Sequence, residues 1–549
     1  MIETIKAFTA LSEEFVEVTM RHDPVAATLA GIHDYDDRLP DDSPAGFSER
    51  SGWLRDLDQR LVASVPWEEL PTEHRVDYAL LRSRLAVERA EIEEIRTHQR
   101  NPVLYPETVL RGVLLLLVRP FAPLEERKEG ILARLMAVPE YLEAARENLQ
   151  RVPPLYRELA SEMNAGGLAF VDEVLRALLK SFPGEAERIE HAGERARVGL
   201  LQYQEFLDRD LGDRAGGAFA IGERWMNFRY EREHLLSMDC AYLEQFARQQ
   251  MELTKTLLVG EARRLDPGRD WRALIEDAKH RHPEPLRVRD AYVAEMERAK
   301  RFVQEHRIAP LAEARLEIVD TPVFERMTIP IASYLRPAPF DVELAGTFFV
   351  TPIDLSRRRE EIDAMLGVHN YCAITLASLH EGYPGHHLQH VHAARGGSRL
   401  RRLANNAVLS EGWALYCEEM MYEQGFYLDP LTRLQQLRDL LWRACRVVID
   451  IGLHTGRMTI EQASAFLVEH ALLEPASAAS EVKRYALHPT EPSSYLVGKL
   501  LLHELREEAK RKLGARFTLY DFHGALFQSG TVPPFLVREE LWERLGVTA

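Results

Sequence analysis

The sequence is poor in cysteine, in net positive charge and in long apolar runs. Its 549 residues include four cysteines, Cys240, Cys372, Cys417 and Cys445, all far apart. There is no C-x-x-C pair and no disulfide framework, so reduced thiols, some of them plain core residues, are expected. Acidic residues outnumber basic ones by 86 to 69, for a net charge of −17. A nucleic-acid binder needs a basic face to displace counterions, so nucleic acid is not an expected partner, and neither is anionic lipid. The longest apolar run, "VLLLLV" (113–118), is far short of the roughly 20 residues that span a bilayer, so no membrane association is expected. The opening "MIETIKAFTALSEEFVEVTM" lacks the series of basic start, apolar run and small-residue cleavage site, so the expected location is cytoplasmic. A Gly-rich phosphate loop, a serine nucleophile elbow, a Cys–His pair in recognisable context, a fixed-period repeat and low-complexity segments are all missing as well.

What the sequence does have is helical periodicity. "ILARLMAVPEYLEAARENLQRV", "FVDEVLRALLKSF", "DCAYLEQFARQQMELTKTLLVGEARRL" and "RDAYVAEMERAKRFVQEHRI" repeat apolar residues every three or four positions, with charges between. The texture changes near residue 314. "RLEIVDTP", "RMTIPIASYL" and "AGTFFVTPID" are short, β-branched or aromatic, and bounded by Pro and Gly, and they read as strands. Helix resumes near residue 356. The expected fold is therefore mostly α, with a small β-sheet inserted before a His-rich segment. A helical N-terminal half (1–310) is expected to form a cleft wall, and a catalytic half (311–549) to carry the chemistry. No Ser/Gly-rich linker divides them, so one intertwined unit is expected.

The His-rich segment is "ASLHEGYPGHHLQHVHAA" (377–394). It opens like the zinc-hydrolase signature His-Glu-x-x-His, but Pro384 stands where the second histidine belongs. His386 and His387 are the available second ligands. In a straight helix His387 shares the face of His380 but lies about 10 Å along the axis. Pro384 and Gly385 argue for a break that returns a later histidine to His380. Spacing alone leaves both open, while His390 and His392 read as exposed followers. "NNAVLSEGWALYCEEMM" (405–421) then supplies a second helix, with Ser410 where a cap can sit, Trp413, Ala414 and Tyr416 for packing, and Glu411. Two imidazoles and a carboxylate suit a catalytic zinc with one open position, and Glu381 is placed as general base. Glu418, seven residues after Glu411, shares its helical face and is a candidate to orient a ligand.

These stretches resemble the bacterial family called domain of unknown function 885, which is grouped by fold with zinc metallopeptidases of the His-Glu-x-x-His clan. The resemblance runs through "HEGYPGHHLQ" (380–389), "SEGWALYCEEM" (410–420), "RVVIDIGLHTGRMTIEQA" (446–463), "SSYLVGKL" (493–500) and "FHGALFQSGTVPP" (522–534). Weaker echoes are "DPVAATLAGIHDYDDRLPD" (23–41) and "FAIGERWMNF" (219–228). The family pattern His-Glu-x-x-Pro-Gly-His implies His386 rather than His387, and the fold grouping implies a large zincin-like architecture. Resemblance to late-chain residues of zinc peptidases makes Tyr495 and His523 candidate donors to a developing oxyanion. His454, four residues after Asp450 and within hydrogen-bond reach of it on a helix, is a third. Arg446, Arg484 and Arg506 suit a substrate carboxylate or ordinary ion pairs. "GTFFVT" (346–351) reads equally as an edge strand open to an extended peptide or as an internal strand.

The reading that follows is a zinc-dependent hydrolase, a peptidase acting on short peptides or modified amino acids. One Zn2+ per chain would be held by His380, His386 and Glu411. The alternatives are a metal-dependent amidohydrolase on a small metabolite and a non-catalytic helical metal-binding protein.

Overall fold

The computed structural model describes residues 1–211, 216–322, 326 and 331–547. The chain divides into two compact units. The first holds Met1–Phe219 and the short segment Ala338–Val342; the second holds Ala220–Thr321, the segment 331–337 and the chain from Glu343 onward. The sequence-based boundary at 310 does not coincide with this division. Helices Cys240–Leu265 and Val288–Glu305 belong to the second unit because their apolar stripes have later partners. The first packs along Pro430–His454, and the second against the turn that carries His380.

In the first unit, helix Leu124–Asn148 packs against Leu104–Val118 and Ala186–Asp208. Its Arg134 is fully buried and donates to the Gly112 carbonyl (2.6 Å), Thr28 Oγ1 (2.7 Å) and the Arg38 carbonyl (3.1 Å). A buried guanidinium is tolerated only with such a set of acceptors. It fixes the loop after Gly31, whose φ of 85° ends helix Pro24–Ala30 in the left-handed region. On that loop His33 stacks against Phe121 and reaches Asp36 (2.8 Å) and Asp341 (3.5 Å). The apolar run 113–118 lies within helix Leu104–Val118, where Val113, Leu115 and Leu116 are buried. No single described helix is long and apolar enough to cross a membrane.

The second unit holds a three-stranded sheet, β1 (Arg315–Asp320), β2 (Ala332–Leu335) and β3 (Ala345–Val350), in the order β1-β3-β2. β3 is parallel to β1, with Arg315 opposite Ala345, and antiparallel to β2, with Leu335 opposite Thr347. β3 is therefore the internal strand, and both of its backbone edges are paired. Of the sequence-read strand 326–335, residues 327–330 lie outside the described residues. Phe348 and Val350 of β3 point into one apolar cluster with Val288, Tyr292 and Met296, spaced four apart on Val288–Glu305. Ile374 of helix Tyr371–Ala377 completes that cluster, which ties the sheet to the helix leading into the His-rich segment. All four cysteines are free and buried, and burial pushes their thiols up, as inert core residues.

Candidate metal centre

Helix Tyr371–Ala377 starts at Asn370, whose side chain accepts from the Ala373 amide (3.0 Å). It widens into a π turn, Ser378–Gly382, that carries His380 and Glu381, and a separate helix begins at His386 (His386–Arg395). The break comes from residues 383–385. A Cβ on Gly385 would lie 2.0 Å from the His380 carbonyl oxygen and 2.3 Å from that of Leu379. Only glycine lets the chain fold back onto the end of its own helix. Trp413, fully buried on helix Ala407–Glu423, holds this fold by donating from Nε1 to the Pro384 carbonyl (2.9 Å) and the Gly385 carbonyl (3.3 Å). The second histidine thus returns to His380 across a break between two helices.

His380, His386 and Glu411 converge. One ligand atom from each lies within 4.8 Å of the others. Glu411 Oε2 is 3.4 Å from His386 Nε2 and 3.6 Å from His380 Nε2. His380 Nδ1 is held by Glu418 Oε1 at 2.8 Å, so its Nε2 faces the cluster, and Glu418 is the orienting carboxylate that the helical spacing suggests. Burial alone pushes the His380 imidazole down, but Glu411 and Glu418 outweigh it and raise it to about 10. Burial would raise Glu411, but the two imidazoles hold it well below the usual carboxylate range. The Glu411 carboxylate and the His380 ring thus favour positive charge at their common point. Two imidazoles and one carboxylate are the donor set that suits zinc.

Tyr495 stacks on the His380 ring, with centroids 6.4 Å apart and planes at 19°. Its other neighbour is the Arg446 guanidinium, 4.7 Å from the ring centre. Burial and the charge of Glu411 push the Tyr495 phenol up, so it stays protonated as a donor. Helices Ala407–Glu423 and Glu491–Leu513, which carry Glu411 and Tyr495, touch backbone to backbone. A Cβ on Gly498 would lie 1.8 Å from the Val408 carbonyl oxygen, and one on Gly412 would lie 2.4 Å from Gly498 Cα. Sequence reading missed this contact. Its signal was present, a glycine inside each of two helical patterns, which costs about 1 kcal/mol per residue unless close packing needs it.

The remaining candidates fall elsewhere. The hydroxyl of Tyr334 in β2 lies 3.1 Å from His387 Nδ1, and burial followed by the charge of Lys300 pushes this imidazole down to about 4. His387 is not part of the convergent group. His390 is not an exposed follower but is buried one turn after His386, 3.5 Å from Ser410 Oγ. His392 is also not exposed, since its Nε2 meets the Pro310 carbonyl at 2.8 Å and its ring stacks on Phe527. The cap of the Glu411 helix is Asn406 rather than Ser410. His454 lies 3.9 Å from Asp450, too far to hydrogen-bond, because its Nε2 pairs with the Tyr485 carbonyl at 3.1 Å. His523 spends both nitrogens on Tyr416 Oη (2.9 Å) and the Ile308 carbonyl (2.7 Å), with its ring edge-on to Trp413. Both are buried core histidines, pushed down by burial to about 4 and about 3. The three arginines are in ion pairs: Arg446 with Glu481 (3.0 Å), Arg484 with Glu491 (2.9 Å) and Arg506 with Glu423 (2.7 Å).

Fold and site together define a mostly helical protein with a small mixed sheet and a convergent two-histidine, one-carboxylate cluster that could hold a metal ion. Within that class, the chain belongs to the family described as bacterial protein of unknown function (DUF885), whose model matches residues 24–541. No curated protein matches it. Among solved structures it is similar to a "putative lipoprotein of unknown function" from Shewanella oneidensis, with TM-score 0.81 and 24% identity over 97% of this chain and 99% of that one. It is also similar to a "putative lipoprotein" from Colwellia psychrerythraea, with TM-score 0.84 and 17% identity over the full length of both chains. Those two descriptions overturn the expectation of a cytoplasmic location, which rested on the scattered cysteines and on the composition of the first residues.

Proposed function

We propose that this protein is a zinc-dependent hydrolase, a zincin-like metallopeptidase that cleaves peptide or amide bonds of short peptides or modified amino acids. The observation that carries the reading is the convergence of His380, His386 and Glu411 beside Glu381 and a protonated Tyr495. Bound there, zinc would supply the positive charge that polarises a carbonyl and acidifies water. His380 and His386 would hold it through Nε2 and Glu411 through its carboxylate, while Glu418 fixes the His380 ring. Glu381 follows His380 on the π turn and is half-buried. Its carboxylate takes the proton from the attacking water and delivers it to the leaving nitrogen as the C–N bond breaks. The Tyr495 hydroxyl donates to the oxygen that gains charge during attack.

A closed structural metal site has four protein ligands and needs no base. Three convergent ligands, with Glu381 adjacent, favour the catalytic reading. The test is digestion of a peptide library and a panel of small amides by zinc-loaded protein, with product masses read out. The wild type should cleave, and Glu381→Gln should keep its metal but lose at least about a hundredfold in turnover. Cleavage of neither class, or a Glu381→Gln variant with normal turnover, would reject the proposal.

A further inference from the structure

The glycine contact between helices Ala407–Glu423 and Glu491–Leu513 brings Glu411 and Tyr495 together, but it leaves the two helices smooth where they touch. Without interlocking side chains at that point, their register along the axis has to be set elsewhere. Farther along, Lys499 pairs with Glu419 and Arg506 with Glu423. A third tie joins their first residues.

Asn406 caps the Glu411 helix. Its Oδ1 accepts from the Leu409 amide at 3.3 Å, which leaves Nδ2 as the donor end of the amide. Nδ2 donates to the Glu233 carbonyl at 3.1 Å and faces His234 Nδ1 at 3.2 Å. His234 Nδ1 therefore accepts. The proton of the neutral ring sits on Nε2 and points at Thr490 Oγ1, 2.9 Å away. Thr490 stands at the cap position of the Tyr495 helix, in the left-handed region at φ 72°, and its own side chain does not cap. Asp450 caps in its place. It accepts from the Thr490 amide at 3.2 Å and from Ser493 Oγ at 2.5 Å, and Tyr230 donates to that same Ser493 oxygen at 3.0 Å. His234 is only 2% exposed, so water does not compete for either of its bonds.

Glu411 lies five residues after Asn406, and Tyr495 lies five residues after Thr490. At 1.5 Å per residue each stands about 7.5 Å beyond its cap, so a shift of one cap along its axis carries Glu411 past Tyr495 by the same amount. We infer that His234 is a positioning residue: by bridging the caps at Asn406 and Thr490 it sets the height of Glu411 against Tyr495 at the metal centre. This rests on the hydrolase reading above, because the height matters only if Glu411 holds a metal.

The experiment compares wild type, His234→Leu, His234→Gln and Asn406→Ser by zinc competition titration and by melting of the metal-free forms. Leucine removes both arms. Glutamine offers an acceptor and a donor and should restore most of the wild-type affinity. Serine keeps the helix cap but drops the arm to His234. His234→Leu and Asn406→Ser should each lose about tenfold in zinc affinity at temperatures where they are fully folded, the lower end of what outer partners of a metal site cost. Lower melting temperatures with unchanged zinc affinity would overturn the inference and leave the hydrolase reading intact. A wild type that binds no zinc would overturn both. If His234→Leu does not fold, Asn406→Ser decides alone, since its cap is intact.

Discussion

Replacing Gly498 by alanine tests the closest contact in the site. In an exposed helix interior this change is favourable, because alanine exceeds glycine in helix propensity by about 1 kcal/mol. Gly260, in helix Cys240–Leu265, has nothing within 4 Å of a built Cβ, so Gly260→Ala should stabilise the protein by about that amount. At Gly498 the same methyl would lie 1.8 Å from the Val408 carbonyl oxygen and 2.7 Å from Gly412 Cα, and real Cβ atoms essentially never come within 3.0 Å. Both obstacles are backbone, so no side chain can swing away. The helices must part by more than 1 Å. Overpacking of this kind costs about 1–3 kcal/mol, which outweighs the propensity gain. The separation also moves Glu411, adjacent to Gly412, away from Tyr495, three residues before Gly498. A misplacement of about 1 Å can cost a hundredfold in rate, and here it should cost about tenfold or more in zinc affinity. Denaturant unfolding and zinc competition on Gly498→Ala and Gly260→Ala side by side give opposite signs if this is right. A Gly498→Ala protein as stable as Gly260→Ala, with unchanged zinc affinity, would refute the reasoning.

Three further outcomes follow from the same geometry. Glu418→Gln should lose about 10–100-fold in zinc affinity, because the charge that holds His380 Nδ1 is gone; an unchanged titration would remove Glu418 from the site. His386→Ala should weaken zinc binding at least tenfold more than His387→Ala, whose loss falls on the contact with Tyr334 and so on stability alone; the reverse order would exchange the two ligands. His33 should make the first unit sensitive to alkali. Burial alone pushes its imidazole down, but hydrogen bonds to Asp341 and Asp36 raise it to about 9. The folded state therefore holds the proton more tightly than the unfolded chain. The stabilisation is complete below about pH 6.5 and is lost as pH rises through about 9. Urea midpoints measured across that range should fall for the wild type, and a His33→Gln variant with the same fall would refute the assignment.

Periodicity is a local property, which is why the helices and the three strands could be read from the sequence. The residue types of the centre were also legible, since His380, Glu381 and Glu411 stand in two short segments. The choice of His386 over His387 came from family resemblance rather than spacing. In three dimensions it depends on a backbone fold-back at Gly385 that no periodicity records. The exposure assigned to His390 and His392 failed because a helix with histidines on several faces looks solvated in sequence, yet this one is enclosed on most sides. His454 and His523 were candidates by residue type and position, and partners remote in sequence, the Tyr485 and Ile308 carbonyls, each take one ring nitrogen and hold the imidazole in the core. The bridge through His234 joins positions 234, 406 and 490, and only folding brings these together.

The central claim is that His380, His386 and Glu411 hold one divalent cation. It is tested most directly by elemental analysis of protein stripped with chelator, reloaded with zinc and freed of excess, for the wild type beside Glu411→Gln. The carboxylate supplies the only negative charge in the ligand set, and its loss leaves two neutral imidazoles. The account predicts about one zinc per chain for the wild type and a substoichiometric amount for folded Glu411→Gln. A wild type that retains no stoichiometric zinc, or a Glu411→Gln variant that retains as much as the wild type, would contradict it.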